Sequence, residues 1–110
     1  MKIDLEKLES VLEVINLYTD VGGINIYGII RTRKDNRVYE YAQLVRVVTL
    51  LEKAGFIYSK MNGRERRLFL TKEGKEIYIY LNKLVRRLEK VMENGRSKTK
   101  STQIRRIATY

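Results

Sequence analysis

RVYEYAQLVRVVTLLEKAGFIYSKMNGRERRLFLT, residues Arg37 to Thr71, holds an apolar helix, a glycine stop and two short strands about a tight turn. Tyr41, Leu44, Val45, Val48 and Leu51 recur at the helical spacing of three and four, so they are expected to face a core, with Tyr39, Gln43 and Arg46 turned outward. Ala54-Gly55 ends the helix, because glycine takes the left-handed conformation without a Cβ clash. Phe56-Ile57-Tyr58 opens a strand of aromatic and β-branched residues. Met61-Asn62-Gly63-Arg64 reads as the hairpin connection, with Asn62-Gly63 supplying the positive φ angles of a type I′ turn. In the returning strand Leu68 and Leu70 alternate with Arg67 and Phe69, giving one buried face and one that presents a cation. Arg64, Arg66 and Arg67 therefore crowd at and beside the hairpin tip.

Upstream, Lys34-Asp35-Asn36-Arg37 is a polar turn with Asp35 or Asn36 as N-cap of the helix. INIYGIIRTR, Ile24 to Arg33, reads either as a short strand followed by a helix or as one helix capped by Asn25 with Ile26, Ile29 and Ile30 inward; the single helix is preferred. Gly28 costs about 1 kcal/mol there relative to alanine, which fits either close approach of another backbone or simple tolerance. Gly22 and Gly23 separate this segment from an amphipathic first helix, Asp4 to Tyr18, capped by Asp4. Its inward stripe is Leu5, Leu8, Val11, Leu12, Ile15 and Tyr18, and Glu6, Glu9, Glu13 and Asn16 fill the other face.

Downstream, Thr71 is the expected N-cap of a long helix running to about Asn94-Gly95. Ile77, Leu81, Leu84, Leu88 and Val91 are spaced by four, three, four and three, the a/d seam of a coiled coil. Dimerisation is preferred to packing on the chain's own domain as the use of that seam. Tyr78 and Tyr80 are expected in core or dimer packing. From Arg96 onward, RSKTKSTQIRRIATY has no apolar periodicity and reads as a mobile basic arm. The expected organisation is one mainly α domain with a small β-hairpin (α+β) over residues 1–95, and a basic tail over 96–110.

A chain of 110 residues supports one modest core that buries roughly two thirds of the unfolded surface. It contains neither cysteine nor histidine, which excludes a disulfide frame, zinc-finger and imidazole metal sites, and catalysis by a thiol or an imidazole. Its carboxylates fall on solvated helix faces and no glycine-rich phosphate loop follows a strand, so no enzyme activity, cofactor or metal is expected. No apolar run approaches the roughly 20 residues of a membrane span, and MKIDLEKLES is unlike a signal sequence. A soluble, intracellular protein is expected. Lys and Arg number 23 against 13 Asp and Glu, a net charge of +10 with a pI near 9.9. That balance calls for a polyanion, nucleic acid first and an acidic membrane surface second. The charge is uneven: Met1 to Asp20 carries two lysines against five acids, and Arg96 to Tyr110 five cations and no acid.

Helix, strand, turn and strand in that order read as the recognition helix and wing of a winged helix-turn-helix, with Ile26 to Ala54 as the helix-turn-helix proper. Two phrases carry a family resemblance. Leu51-Glu52-Lys53-Ala54-Gly55-Phe56-Ile57 is similar to the leucine, glutamate, variable pair, glycine, leucine or phenylalanine, isoleucine signature that ends the recognition helix of MarR-type and related archaeal winged-helix families. Arg66-Arg67-Leu68-Phe69-Leu70-Thr71-Lys72-Glu73-Gly74-Lys75 resembles their second wing strand and the leucine-threonine, variable pair, glycine start of the next helix. The flanking long helices are similar to the dimerisation elements of such families. The resemblance places the groove-facing helix on Tyr39 to Thr49 and the wing arginines on Arg64, Arg66 and Arg67. The aspartate that often precedes the paired arginines is Glu65 here, and the connection from Arg31 to Val38 is longer than the usual tight turn. A long terminal helix on a small basic winged helix also resembles archaeal chromatin-associated coiled-coil dimers, and the composition suits a thermophile or a virus of one.

The resulting expectation is a homodimeric, double-stranded DNA-binding transcription regulator of the cytoplasm, associated with the nucleoid, or of the host cytoplasm if viral. Tyr39, Gln43 and Arg46 would enter the major groove. Arg64, Arg66 and Arg67 would reach the backbone or the adjacent minor groove, and Lys34, Arg37 and Lys60 would hold phosphates. Two alternatives stand beside it: an architectural protein that coats DNA without preference, and a winged-helix module that docks a protein on the long helix. No membrane partner is expected, and a small-molecule effector is left open.

Overall fold

The computed structural model describes residues 4–32 and 40–98, with residues 94–98 described by their backbone only. Helix α1 (Leu5–Thr19) starts where Asp4 accepts the Lys7 N–H at 3.1 Å. Val11, Leu12 and Ile15 are buried as their spacing requires, and Val14 joins them. Leu5 and Tyr18, expected inward, are exposed. Burial is concentrated between Ser10 and Ile15, so both ends of the helix outrun the core.

Ile24 forms a single antiparallel bridge with Leu68. The strand alternative thus holds for one residue, and α2 (Ile26–Thr32) takes up the rest. Asn25 Oδ1 accepts the Gly28 N–H at 2.7 Å, the expected cap. Ile29 is fully buried, with Ile26 and Ile30 against the core. A Cβ on Gly28 would lie 2.7 Å from Ile24 Cγ1. A neighbouring side chain, rather than another backbone, is what crowds that position.

Helix α3 (Tyr41–Lys53) turns Leu44, Val47, Val48 and Leu51 inward. Val47 takes the place expected for Val45, which is half-buried, and Tyr41 is 47% exposed. The helix begins only at Tyr41, whose ring leans on Tyr27 of α2 instead of the core. Glu40, in extended conformation, is its N-cap and makes no side-chain cap bond; Asp35 and Asn36, expected there, lie outside the described residues.

Strands β1 (Ile57–Asn62) and β2 (Glu65–Leu70) pair antiparallel from Ile57 opposite Leu70 to Asn62 opposite Glu65. The two-residue loop is therefore Gly63-Arg64, one residue later than expected, and Gly63 takes the positive φ of 65°. This register keeps both Leu68 and Leu70 inside the ladder; a turn centred on Asn62-Gly63 would leave Leu70 beyond the start of β1.

Thr71 joins three elements. Its hydroxyl donates to Gly55 O at 2.6 Å and accepts the Gly74 N–H at 3.0 Å, while its own N–H donates to Phe56 O at 3.0 Å. The end of α3 and the start of α4 (Lys72–Lys98) share one cap. Along α4, Tyr78 and Leu81 lean on the core, Val85 is buried, and Asn82 Nδ2 donates to Glu9 of α1 at 3.1 Å. Leu81 of the expected dimer seam thus belongs to the domain's own core. The helix passes the stop expected at Asn94-Gly95 and continues to Lys98; a helical glycine costs about 1 kcal/mol, too little to end a helix alone. The rest of the expected basic tail, 99–110, lies outside the described residues.

Candidate nucleic-acid interface

With Leu44, Val47, Val48 and Leu51 inward, the opposite face of α3 carries Ala42, Arg46, Thr49 and Lys53, flanked by Gln43 and Leu50, all exposed. Gln43 and Arg46 stand on the surface as their outward reading requires, and Arg46 and Lys53 form no ion pair with a described residue. Ala42, Thr49 and Lys53 were not singled out from the sequence. Their signal was there: Ala42 and Thr49 lie four and three residues from Arg46, and Lys53 four beyond Thr49. Tyr39, Lys34 and Arg37 lie outside the described residues.

At the start of the face, Tyr41 stacks on Tyr27 with ring centroids 5.3 Å apart and planes 26° from parallel. The Tyr27 side chain beside it raises the Tyr41 hydroxyl above its ordinary range, by hydrogen bonding first and by charge second.

The three wing arginines divide. Arg66 Nη2 donates to Glu52 Oε1 on α3, and Glu52 Oε2 accepts from Ser59 Oγ at 2.8 Å. Arg67 Nε donates to Glu65 Oε1, and its Nη1 reaches Gly22 O at 3.2 Å. Glu65 Oε2 accepts from Asn25 Nδ2 at 2.8 Å, so the cap of α2 and the wing belong to one network. The glutamate of the helix-ending signature and the glutamate in place of aspartate are thus the groups that fix the hairpin to the helix-turn-helix. Arg64, in the loop, is exposed and forms no ion pair with a described residue. Lys60 Nζ lies 5.8 Å from the centroids of both Tyr58 and Phe69, which stack on each other, and its side chain is on the surface.

Elsewhere the surface is divided by charge and polarity. A groove of about 190 Å³ between α1 and α4 is bordered by Glu6, Glu9, Glu13, Glu89 and Arg86. On α4, Ile77, Leu84, Leu88 and Val91 of the expected seam are 37% to 51% exposed, beside Tyr80 at 74%. No helix among the described residues is long and apolar enough to cross a membrane.

No family model matches the chain, and no curated protein matches it. Solved structures do. AF1382 from Archaeoglobus fulgidus aligns at a TM-score of 0.62 and 21% identity over 76% of this chain and 89% of its own. PcaV, a transcriptional regulator from Streptomyces coelicolor solved with its natural ligand, aligns at 0.65 and 19% identity over 93% of this chain and 72% of its own. A mutant of MepR from S. aureus, solved bound to an oligodeoxyribonucleotide, aligns at 0.60 and 12% identity over 94% and 71%. At these identities the likeness is one of fold, and helix, helix, two-stranded wing and long terminal helix make this chain a winged helix-turn-helix protein.

Proposed function

We propose that the chain is a homodimeric regulator of transcription that binds duplex DNA through α3 and the wing. The observation that carries this reading is the outward face of α3, where Arg46, Gln43 and Lys53 stand exposed around small Ala42 and Thr49. Such a face is narrow enough for a major groove and offers Arg46 to guanine and Gln43 to adenine. An oligodeoxyribonucleotide bound to a MepR mutant of the same fold supports it. Tyr39 would join from ahead of the helix. Of the wing groups, Arg64 and Lys60 are free for phosphate or minor groove, whereas Arg66 and Arg67 would have to exchange a carboxylate for a phosphate. Lys34 and Arg37 complete the proposed phosphate contacts. Two copies would meet through Ile77, Leu84, Leu88 and Val91, which leave an apolar stripe partly exposed along α4.

Fluorescence anisotropy with DNA from upstream of the gene and with a random duplex, titrated across salt, tests the reading. Tighter binding upstream that survives rising salt is expected. Equal affinities that fall together would make the protein architectural, and no binding to either would turn attention to a protein partner on α4.

Arg46→Ala should lose about 1–3 kcal/mol on the preferred site and much less on random DNA. Equal losses on both would remove Arg46 from base reading. Arg64→Ala should weaken both duplexes alike and reduce the salt slope by about 1, without lowering the melting temperature. Arg66→Ala should instead lower the melting temperature, since it leaves the half-buried Glu52 carboxylate with Ser59 but without its cation. A thermal melt and a salt titration of each variant separate the two roles.

A further inference from the structure

Lys83, Arg86, Arg87 and Lys90 occur at positions i, i+3, i+4 and i+7 of α4, on one exposed face of the helix. None forms an ion pair with a described residue, although Arg86 borders the acidic groove. Cations three and four residues apart repel each other and oppose the helix that holds them. Arg86 and Lys90 have Glu89 and Glu93 three residues on, but Lys83 and Arg87 have no acid three or four residues away, so the helix alone does not account for the stripe. By contrast, two of the three wing arginines are already matched by Glu52 and Glu65.

Its place in the fold separates it from the α3 face. Helix α4 packs on α1 and β2, whereas α3 packs on α2 and β1. From Gly74, beside the end of α3, Lys83 and Lys90 lie about 14 and 24 Å along the axis. The stripe is thus carried by a different helix from the one proposed for the major groove, and that helix packs on a different part of the domain. Four cations along about 10 Å of helix, two of them arginines able to grip phosphate by two hydrogen bonds, suit a strand of nucleic-acid backbone.

We propose that this face of α4 is a second phosphate-binding surface, with which the protein holds a second DNA duplex while α3 and the wing hold the first. The inference rests on the DNA-binding reading above. If two copies pair along Ile77, Leu84, Leu88 and Val91, the dimer carries two such stripes. The protein then bridges duplexes instead of only occupying a site.

The test uses the full chain, a bead-bound duplex and a second, fluorescent duplex added after the first is saturated. The compared variant carries Lys83→Gln, Arg86→Gln, Arg87→Gln and Lys90→Gln together. All four sites are on the surface, and thermal melting and sedimentation check that fold and assembly are intact. Wild type should retain the fluorescent duplex. The variant should bind a single duplex within about twofold of wild type yet retain about tenfold less of the second. Retention equal to wild type would overturn the proposal, as would single-duplex binding that falls in step with retention. So would a wild type that prefers phosphatidylcholine–phosphatidylserine vesicles to the second duplex at this face. A wild type that binds one duplex and retains no second defeats bridging alone; one that binds no duplex defeats the DNA-binding reading itself.

Discussion

Gly74→Ala is expected to lower the melting temperature by more than about 12 °C, a loss of about 3 kcal/mol or more. A Cβ at this position would stand 1.9 Å from Phe56 O and 3.2 Å from Leu70 Cδ2. The carbonyl cannot swing aside, because it accepts the Thr71 N–H, and Thr71 in turn caps α4 and holds Gly55 O. Relieving the clash means lifting the first turn of α4 off the start of β1. Gly55→Ala makes the control: its φ of 82° strains an alanine, but nothing stands within 4 Å of the new methyl. That substitution should cost only about 1–2 kcal/mol. Circular-dichroism melts of the two variants decide the matter, and a Gly74→Ala protein that melts with wild type would mean that α4 does not seat as described.

Leu84→Glu combined with Leu88→Glu is expected to convert a dimer into a folded monomer and to weaken duplex binding by about 100-fold, the avidity lost when two half-sites are no longer joined. Both side chains are substantially exposed in the single chain, 39% and 51%, so the charges disturb no core of their own domain. Leu81→Glu should behave differently, unfolding the protein, because Leu81 packs against the core. Sedimentation equilibrium and anisotropy on the same samples read out both effects. A wild type that sediments as a monomer at the concentrations where it binds DNA would refute the pairing.

Much of the fold was legible because its signals are local. Asp4, Asn25 and Thr71 cap the helices that follow them, and Gly55 and Gly63 take positive φ where the chain must turn. Leu68 and Leu70 face inward by alternation alone. The misreadings arose where a local signal competes with a distant one. Tyr41 fits the apolar spacing, but a ring at the first position of a helix can be claimed by the neighbouring helix, here by Tyr27. Asn62-Gly63 is a strong turn pair, yet the pairing of Ile57 with Leu70 moves the loop to Gly63-Arg64. Leu81 lies on the same heptad line as Leu84 and Leu88, and only the seating of α1 shows which side of that line is core.

At the candidate site, single residues could be read and their partnerships could not. Arg46 and Gln43 face outward by period. Nothing in the sequence announces that Arg66 finds a glutamate fourteen residues earlier, or Glu65 an asparagine forty residues earlier. Three equivalent arginines became one free group and two that hold the wing in place. The basic stripe on α4 was also visible as letters, but that Arg86 at its edge meets the acids of α1 while the rest faces away depends on where α1 lies.

The acidic groove between α1 and α4 makes the domain an electric dipole, its negative side gathered on Glu6, Glu9, Glu13 and Glu89 and its positive side on the faces of α3, the wing and outer α4. In the field of a polyanion such a body feels a torque before it feels a contact. With a net charge of +10 the body would be drawn to a polyanion as a whole, and the acidic groove would bias it to approach with a cationic face forward. For the proposed DNA partner, encounter rate and orientation would then be set at a distance, in a range that salt shortens, before the side chains of α3 and the wing make contact.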